Sequence, residues 1–161
     1  NGRPINFRNT LILMTSNVGS GTIMALAPEG EITDAETLEA SLKEELLGTF
    51  PPALLGRIVS IPYVPLSAPV LAGLTQLKLG SVARRMRDSH GTQLVWDDAV
   101  TDHIVAQCRD PDSGGRMIDN IITNSILPDL SRQVLSRMVS GAPMSDVTIK
   151  VDDGGFAYDF A

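Results

Sequence analysis

The sequence predicts an α/β segment followed by a small α+β unit, and three observations carry that prediction. Residues 10 to 15, Thr-Leu-Ile-Leu-Met-Thr, form an unbroken apolar run between polar flanks, as in a strand buried on both faces of a parallel sheet. From about residue 67 to 139, apolar residues recur mostly at helical spacing. The chain then closes with Val147, Ile149 and Val151 alternating with polar residues, Asp152-Asp153-Gly154-Gly155, and the alternating Phe156, Tyr158 and Phe160. That last pattern is a β-hairpin.

The bulk numbers bound what such a chain can be. Its 161 residues suit one ordinary domain or two small ones sharing a boundary. With 43% hydrophobic and 20% charged residues it can bury a core and is not a disordered chain. Aromatics are only 4%, so that core is aliphatic. The formal net charge is −6, and the one short basic cluster, Arg84, Arg85 and Arg87, falls at a helix end where the dipole favours cations. A nucleic-acid partner is therefore not expected. The single cysteine, Cys108, excludes an internal disulfide and a site of several thiolates, and no metal is expected. It shares helical spacing with Val100 and Ile104, which predicts a buried thiol that His103, on the same helix, does not face. No apolar run approaches the ~18 residues of a membrane span, and no leader is visible. The expectation is a cytoplasmic protein with no membrane insertion.

Taken in order, the apolar run ends in Ser16-Asn17 and a Gly19-Ser20-Gly21 break. A buried strand needs neighbours to satisfy its backbone groups, and no βαβ array follows, so its partners are expected outside this chain. Residues 29 to 45 hold seven of the 19 acidic side chains, with Leu38, Leu42 and Leu46 at helical spacing. This predicts an amphipathic helix with an acidic outer face, capped by Thr33 or Asp34. Pro51-Pro52 ends it and opens a short helical turn through Leu55. Arg57 to Val64 reads as extended, limited by Pro62 to an edge or irregular strand. Val64-Pro65-Leu66-Ser67-Ala68-Pro69 reads as a hinge, which places the boundary between residues 1–66 and 67–161. Beyond it, a helix over about 67–88 presents Val70, Leu74 and Leu77. A short strand at 93–96 precedes a helix over about 97–109. A longer helix over about 114–139 buries Met117, Ile118, Ile121, Ile122, Leu130, Val134 and Met138, with Pro128 kinking or splitting it.

The chemistry begins with an exclusion. A P-loop needs Gly-Lys followed by Ser or Thr to cradle phosphates. The only lysines, Lys43, Lys78 and Lys150, follow Leu42, Leu77 and Ile149, so none belongs to such a loop. The apolar strand ending in paired acids that would hold Mg2+ is missing too. Three positions remain. Asn17, at the end of the apolar run, can orient a water by donating and accepting at once, or can serve with Ser16 as a helix cap. Arg57, at a helix-to-strand corner, can reach a neighbouring protomer's phosphate or form a surface ion pair. Ser113-Gly114-Gly115-Arg116 opens a helix whose N-terminus favours anions. An arginine there is electrostatically misplaced unless an anion meets it or Asp110, Asp112 or Asp119 neutralises it.

These stretches resemble the second ATPase module of the ClpB-type AAA+ unfoldases. The resemblance rests on Gly2-Arg3, Asn6 to Thr10, Leu13 to Ser20, Gly56-Arg57-Ile58, Pro65-Leu66 and Gly114-Gly115-Arg116, in order over nearly the whole chain. It implies the C-terminal part of an AAA+ large α/β subdomain, from the sensor-1 strand onward, followed by the small helical lid with its short sheet. It also implies sensor 1 at Asn17, a trans-acting arginine finger at Arg57, and sensor 2 at Arg116, with Gly114 and Gly115 beside the nucleotide. Two departures, Gly56-Arg57-Ile58-Val59 and Arg116-Met117-Ile118-Asp119-Asn120-Ile121, are similar to the ClpV branch, the type VI secretion ATPases. The resemblance thus implies a piece of a homohexamer that uses ATP with Mg2+ to recycle the contracted sheath. Sheath proteins would be engaged through regions absent here. The alternatives are a piece of a ClpB-type disaggregase or, for the isolated chain, a non-catalytic interaction domain. The chain alone, lacking the P-loop, is expected to be inactive.

Overall fold

The computed structural model describes residues 7–28, 30–32, 34–108, 114–143 and 145–161. The chain forms two compact units, Asn1–Leu26 with Ile32–Tyr63, and Ala27–Glu31 with Val64–Ala161.

The first unit holds three helices, α1 (Ser20–Leu26), α2 (Ala35–Thr49) and α3 (Pro52–Leu55). Asp34 is the cap of α2: its carboxylate accepts from the Thr37 amide at 3.0 Å and the Thr37 hydroxyl at 2.6 Å. The other cap candidate, Thr33, lies outside the described residues. Leu38 and Leu42 are buried and Leu46 is half-buried, as the spacing predicts. Gly19 seats α1 against α2. Its φ of +82° suits only glycine, and a Cβ there would meet Leu42 Cδ2 at 2.3 Å. The helix α2 gives way at Pro51-Pro52, and Pro52 opens α3, where its missing N–H costs nothing.

Two extended stretches carry no strand in this unit. Residues 10–15 do not form a strand, and Leu11 and Leu13 are 88% and 86% exposed. A strand exists only through its ladder, and among the described residues nothing pairs with this run. Residues 57–64 are likewise irregular rather than a strand.

The second unit begins with α4 (Ala68–His90), which has Pro69 in its first turn and ends at Gly91 with φ +67°. Its buried stripe is Leu71, Thr75, Leu79, Val82, Ala83 and Met86. The expected face of Val70, Leu74 and Leu77 is therefore a correction. Val70 and Leu77 are exposed, and only Leu74 packs, partly buried, against the core. Both sets obey helical spacing, but the longer stripe buries more apolar surface. The one polar member, Thr75, donates its hydroxyl to the Leu71 carbonyl at 2.9 Å and is satisfied.

Strand β1 (Leu94–Trp96) leads into α5 (Asp98–Gln107), capped by Asp97 accepting from the Val100 amide at 3.1 Å. Val100, Ile104 and Cys108 are all buried on one face, and burial pushes the Cys108 thiol pKa up. His103 turns instead to Gln107, whose amide nitrogen lies 2.8 Å from its Nε2, and to Phe156, with the two rings nearly perpendicular.

The long helix is split as Pro128 requires, through an unusual joint. Helix α6 (Gly114–Ile121) passes into a π-helical turn (Ile122–Ile126) and then α7 (Leu127–Ser140), with Pro128 in the first turn of α7. The Leu127 amide bonds the Ile122 carbonyl, one residue wider than the α pattern. Ile118, Ile122, Ile126, Leu130 and Val134, spaced four apart, are all buried. On a regular α-helix each such step overshoots by about 40°, so five residues would wander off the core. The wide turn takes up about one residue of rotation, ~100°, and returns the stripe to one face. By the last turn it has drifted away again: Met138, expected inside, is exposed.

The sheet has the order β1-β2-β3, with β2 (Val147–Asp152) parallel to β1 and antiparallel to β3 (Gly155–Phe160). Asp153 and Gly154 turn the hairpin with φ of +46° and +75°, the mirror-image geometry matched to strand twist. Val147 and Ile149 are fully buried beneath the helices. The Tyr158 hydroxyl donates to the Ile126 carbonyl at 3.3 Å, which ties β3 to the π-turn.

Candidate functional site

Asn17 and Arg57 belong to the first unit, and Gly114, Gly115 and Arg116 to the second. The backbone carbonyl of Asn17 accepts from the Ser20 amide at 3.2 Å and the Ser20 hydroxyl at 2.7 Å. Ser16 Oγ accepts from the Val18 amide at 3.1 Å, two residues on. The capping alternative is thereby corrected: neither side chain caps the first turn of α1 by the hydrogen bonds of the described residues. The Asn17 side chain is left exposed at the turn.

Arg57 is exposed just past the end of α3. Its Nη1 donates to the Ala53 carbonyl at 2.9 Å, one of the end carbonyls that the helix cannot satisfy internally. The guanidinium is thus folded back rather than paired with a carboxylate. An apolar groove of about 740 Å3 in the same unit, lined by Leu38, Leu42, Leu46, Leu55 and Ile58 among others, includes neither Asn17 nor Arg57.

Arg116 is exposed in the first turn of α6. Gly114 has φ +38°, and Gly115 sits where a Cβ would touch Leu66 Cδ1 at 3.5 Å and Leu74 Cδ1 at 3.8 Å. Among the described residues no carboxylate pairs with Arg116. Of its three possible neutralisers, Asp110 and Asp112 lie outside the described residues. The third, Asp119, is held by Lys78 of α4, Nζ to Oδ1 at 2.7 Å. Sequence reasoning missed this pair, because nothing along the chain brings residues of two different helices together. What remains at the head of α6 is a cation beside the positive end of a helix, an arrangement that suits an anion.

Comparison with known proteins gives these positions a context. Residues 66–149 match the family model of the C-terminal, D2-small domain of ClpB protein, and residues 1–61 match that of the AAA domain of the Cdc48 subfamily. The chain is 47% identical over 161 residues to the AAA+ ATPase ClpV1 of Pseudomonas aeruginosa, covering 99% of this chain and 18% of that protein. It is 36% identical over 135 residues to the chaperone protein ClpB of Yersinia enterocolitica, covering 83% of this chain and 15% of the relative. A cryo-EM reconstruction of Hsp104 in its closed state with ATPyS and FITC casein has a similar fold, with a TM-score of 0.68 at 20% identity. It covers 91% of this chain and 24% of that one. The chain thus spans less than a fifth of the length of these two curated relatives. Over that span, the chain belongs to the ClpB-type AAA+ family, as a C-terminal module with a helical small domain and a mixed sheet.

Proposed function

We propose that this chain serves as the sensing and lid part of an ATP-hydrolysing ring. In this reading residues 1–66 are the C-terminal part of the AAA+ large α/β subdomain and residues 67–161 the small lid. Gly114, Gly115 and Arg116 meet the nucleotide phosphates from the lid, Asn17 orients the attacking water, and Arg57 reaches the phosphates held by the neighbouring protomer. The observation that carries the reading is Arg116: exposed at a helix start, behind a left-handed glycine, and without a carboxylate among the described residues. Such a cradle fits a polyanion. ATP with Mg2+, when bound to the whole protein, supplies the transferable phosphoryl group and the metal that shields its charge. Arg116→Ala in the longer protein should weaken nucleotide binding, measured with a fluorescent ADP analogue. Unchanged affinity would refute the role. The isolated chain, having no P-loop lysine, should show no turnover.

The finer proposal is that the parent is a cytoplasmic homohexamer that remodels the contracted type VI secretion sheath. The runs Gly56 to Val59 and Arg116 to Ile121, together with the 47% identity to ClpV1, support it over a general disaggregase. Sheath tubules incubated with the hexamer and ATP should disassemble, while a heat-aggregated enzyme should not be rescued. The reverse result would favour disaggregation. Apolar grooves in both units favour a further reading, an interaction module. A stable nucleotide-independent hexamer of the isolated chain would support that one.

A further inference from the structure

We propose that Lys78 is a positioning residue for Arg116: by holding Asp119 it keeps the guanidinium available to phosphate. The inference rests on the reading of Arg116 as a nucleotide contact. Arg116 and Asp119 are three residues apart on α6, a spacing at which opposite charges meet on a helix surface. The same chain demonstrates the alternative, since Asp129 and Arg132, three apart in α7, do form an ion pair. On α6 the local pair is not made. Lys78 reaches across from α4 and takes Asp119 at 2.7 Å.

Both side chains are about half exposed, so the bridge adds little to stability. Its consequence lies in partner choice. Without Lys78, Asp119 would turn to the nearest cation on its own helix and neutralise the charge that the nucleotide needs. The pair therefore joins the helix that bears Arg116 to the helix that opens the second unit.

The test is a set of substitutions in the full-length ATP-hydrolysing protein, read as the Kd of a fluorescent ADP analogue at low salt. Lys78→Ala should weaken binding about two- to fivefold, the range of an exposed ion pair. Lys78→Arg should leave it unchanged. Asp119→Asn alone should also leave it unchanged, and Lys78→Ala with Asp119→Asn should return it to the wild-type value. A plain charge effect predicts something different: Asp119→Asn alone would tighten binding as much as Lys78→Ala weakens it, and that result overturns the proposal. So does an unchanged Kd for Lys78→Ala when Arg116→Ala weakens binding. If Arg116→Ala itself has no effect, the nucleotide reading fails first and the inference with it.

Discussion

The guanidinium of Arg57 donates to the Ala53 carbonyl at 2.9 Å, so this cation is folded back onto the helix that precedes it. To serve a neighbouring protomer it has only to exchange a neutral carbonyl for a phosphate, with no ion pair to break. In the assembled parent, Arg57→Ala should therefore lower ATP turnover by about 10³-fold or more while leaving nucleotide affinity nearly intact. Steady-state hydrolysis together with equilibrium binding tests this, and undiminished hydrolysis would remove Arg57 from the mechanism.

The two stripes of α4 predict opposite outcomes for the same truncation. Leu71 is buried in the core and Leu77 is 71% exposed. Leu71→Ala should cost about 2–5 kcal/mol, and Leu77→Ala no more than about 0.5 kcal/mol. Urea unfolding of the two variants decides it, and a larger loss for Leu77→Ala than for Leu71→Ala would mean that α4 faces the other way.

The π-turn makes a prediction about length rather than chemistry. It accommodates one residue more than a regular helix would, so deletion of Asn124 should let α6 run straight into α7. The buried positions would then be spaced four, three, four and four apart, a regular helical stripe. The deletion variant should keep its helical circular dichroism and a cooperative melt. Insertion of an alanine after Asn124 should instead turn α6 out of phase and destabilise the unit. A deletion more damaging than the insertion would contradict this account.

Asp34 ties the start of α2 to pH. The hydrogen bonds from Thr37 hold its carboxyl below its ordinary value of 3.8. A depressed carboxylate contributes stability above its unfolded pKa and loses it as pH falls through the folded one. The first turn of α2 should therefore fray in acid below 3.8, and in the Asp34→Ala variant that pH dependence should vanish. An NMR titration of the Asp34 carboxyl with a midpoint at or above 3.8 would show that the cap is not formed in solution.

Much of the second unit was legible in the chain because its signals are local. Asp153-Gly154 between alternating residues specifies the hairpin, and Val100, Ile104 and Cys108 at helical spacing specify α5. Pro128 announced a break, though not that the helix would widen rather than kink. The spacing of four from Ile118 to Val134 was the available sign. The face of α4 was misread because two stripes satisfy the same period, and only the elements packed against them choose. Residues 10–15 are apolar like a buried strand, but a strand is a relation between segments, and the expectation already placed its partners outside this chain. At the candidate site, the electrostatic misfit of Arg116 was visible from sequence. The capture of Asp119 was not, because Lys78 and Asp119 sit on different helices and meet only in the fold.

The bare Leu11–Met14 segment has a practical consequence. Four exposed apolar residues whose backbone groups have no ladder partner among the described residues are a template on which other chains can stack edge to edge into fibrillar or amorphous assemblies. Any oligomer seen with this chain in isolation therefore has two possible origins, and Leu13→Lys separates them. A mass that falls to monomer in that variant reports sticky edges, and a mass that survives it reports an assembly built by the rest of the fold.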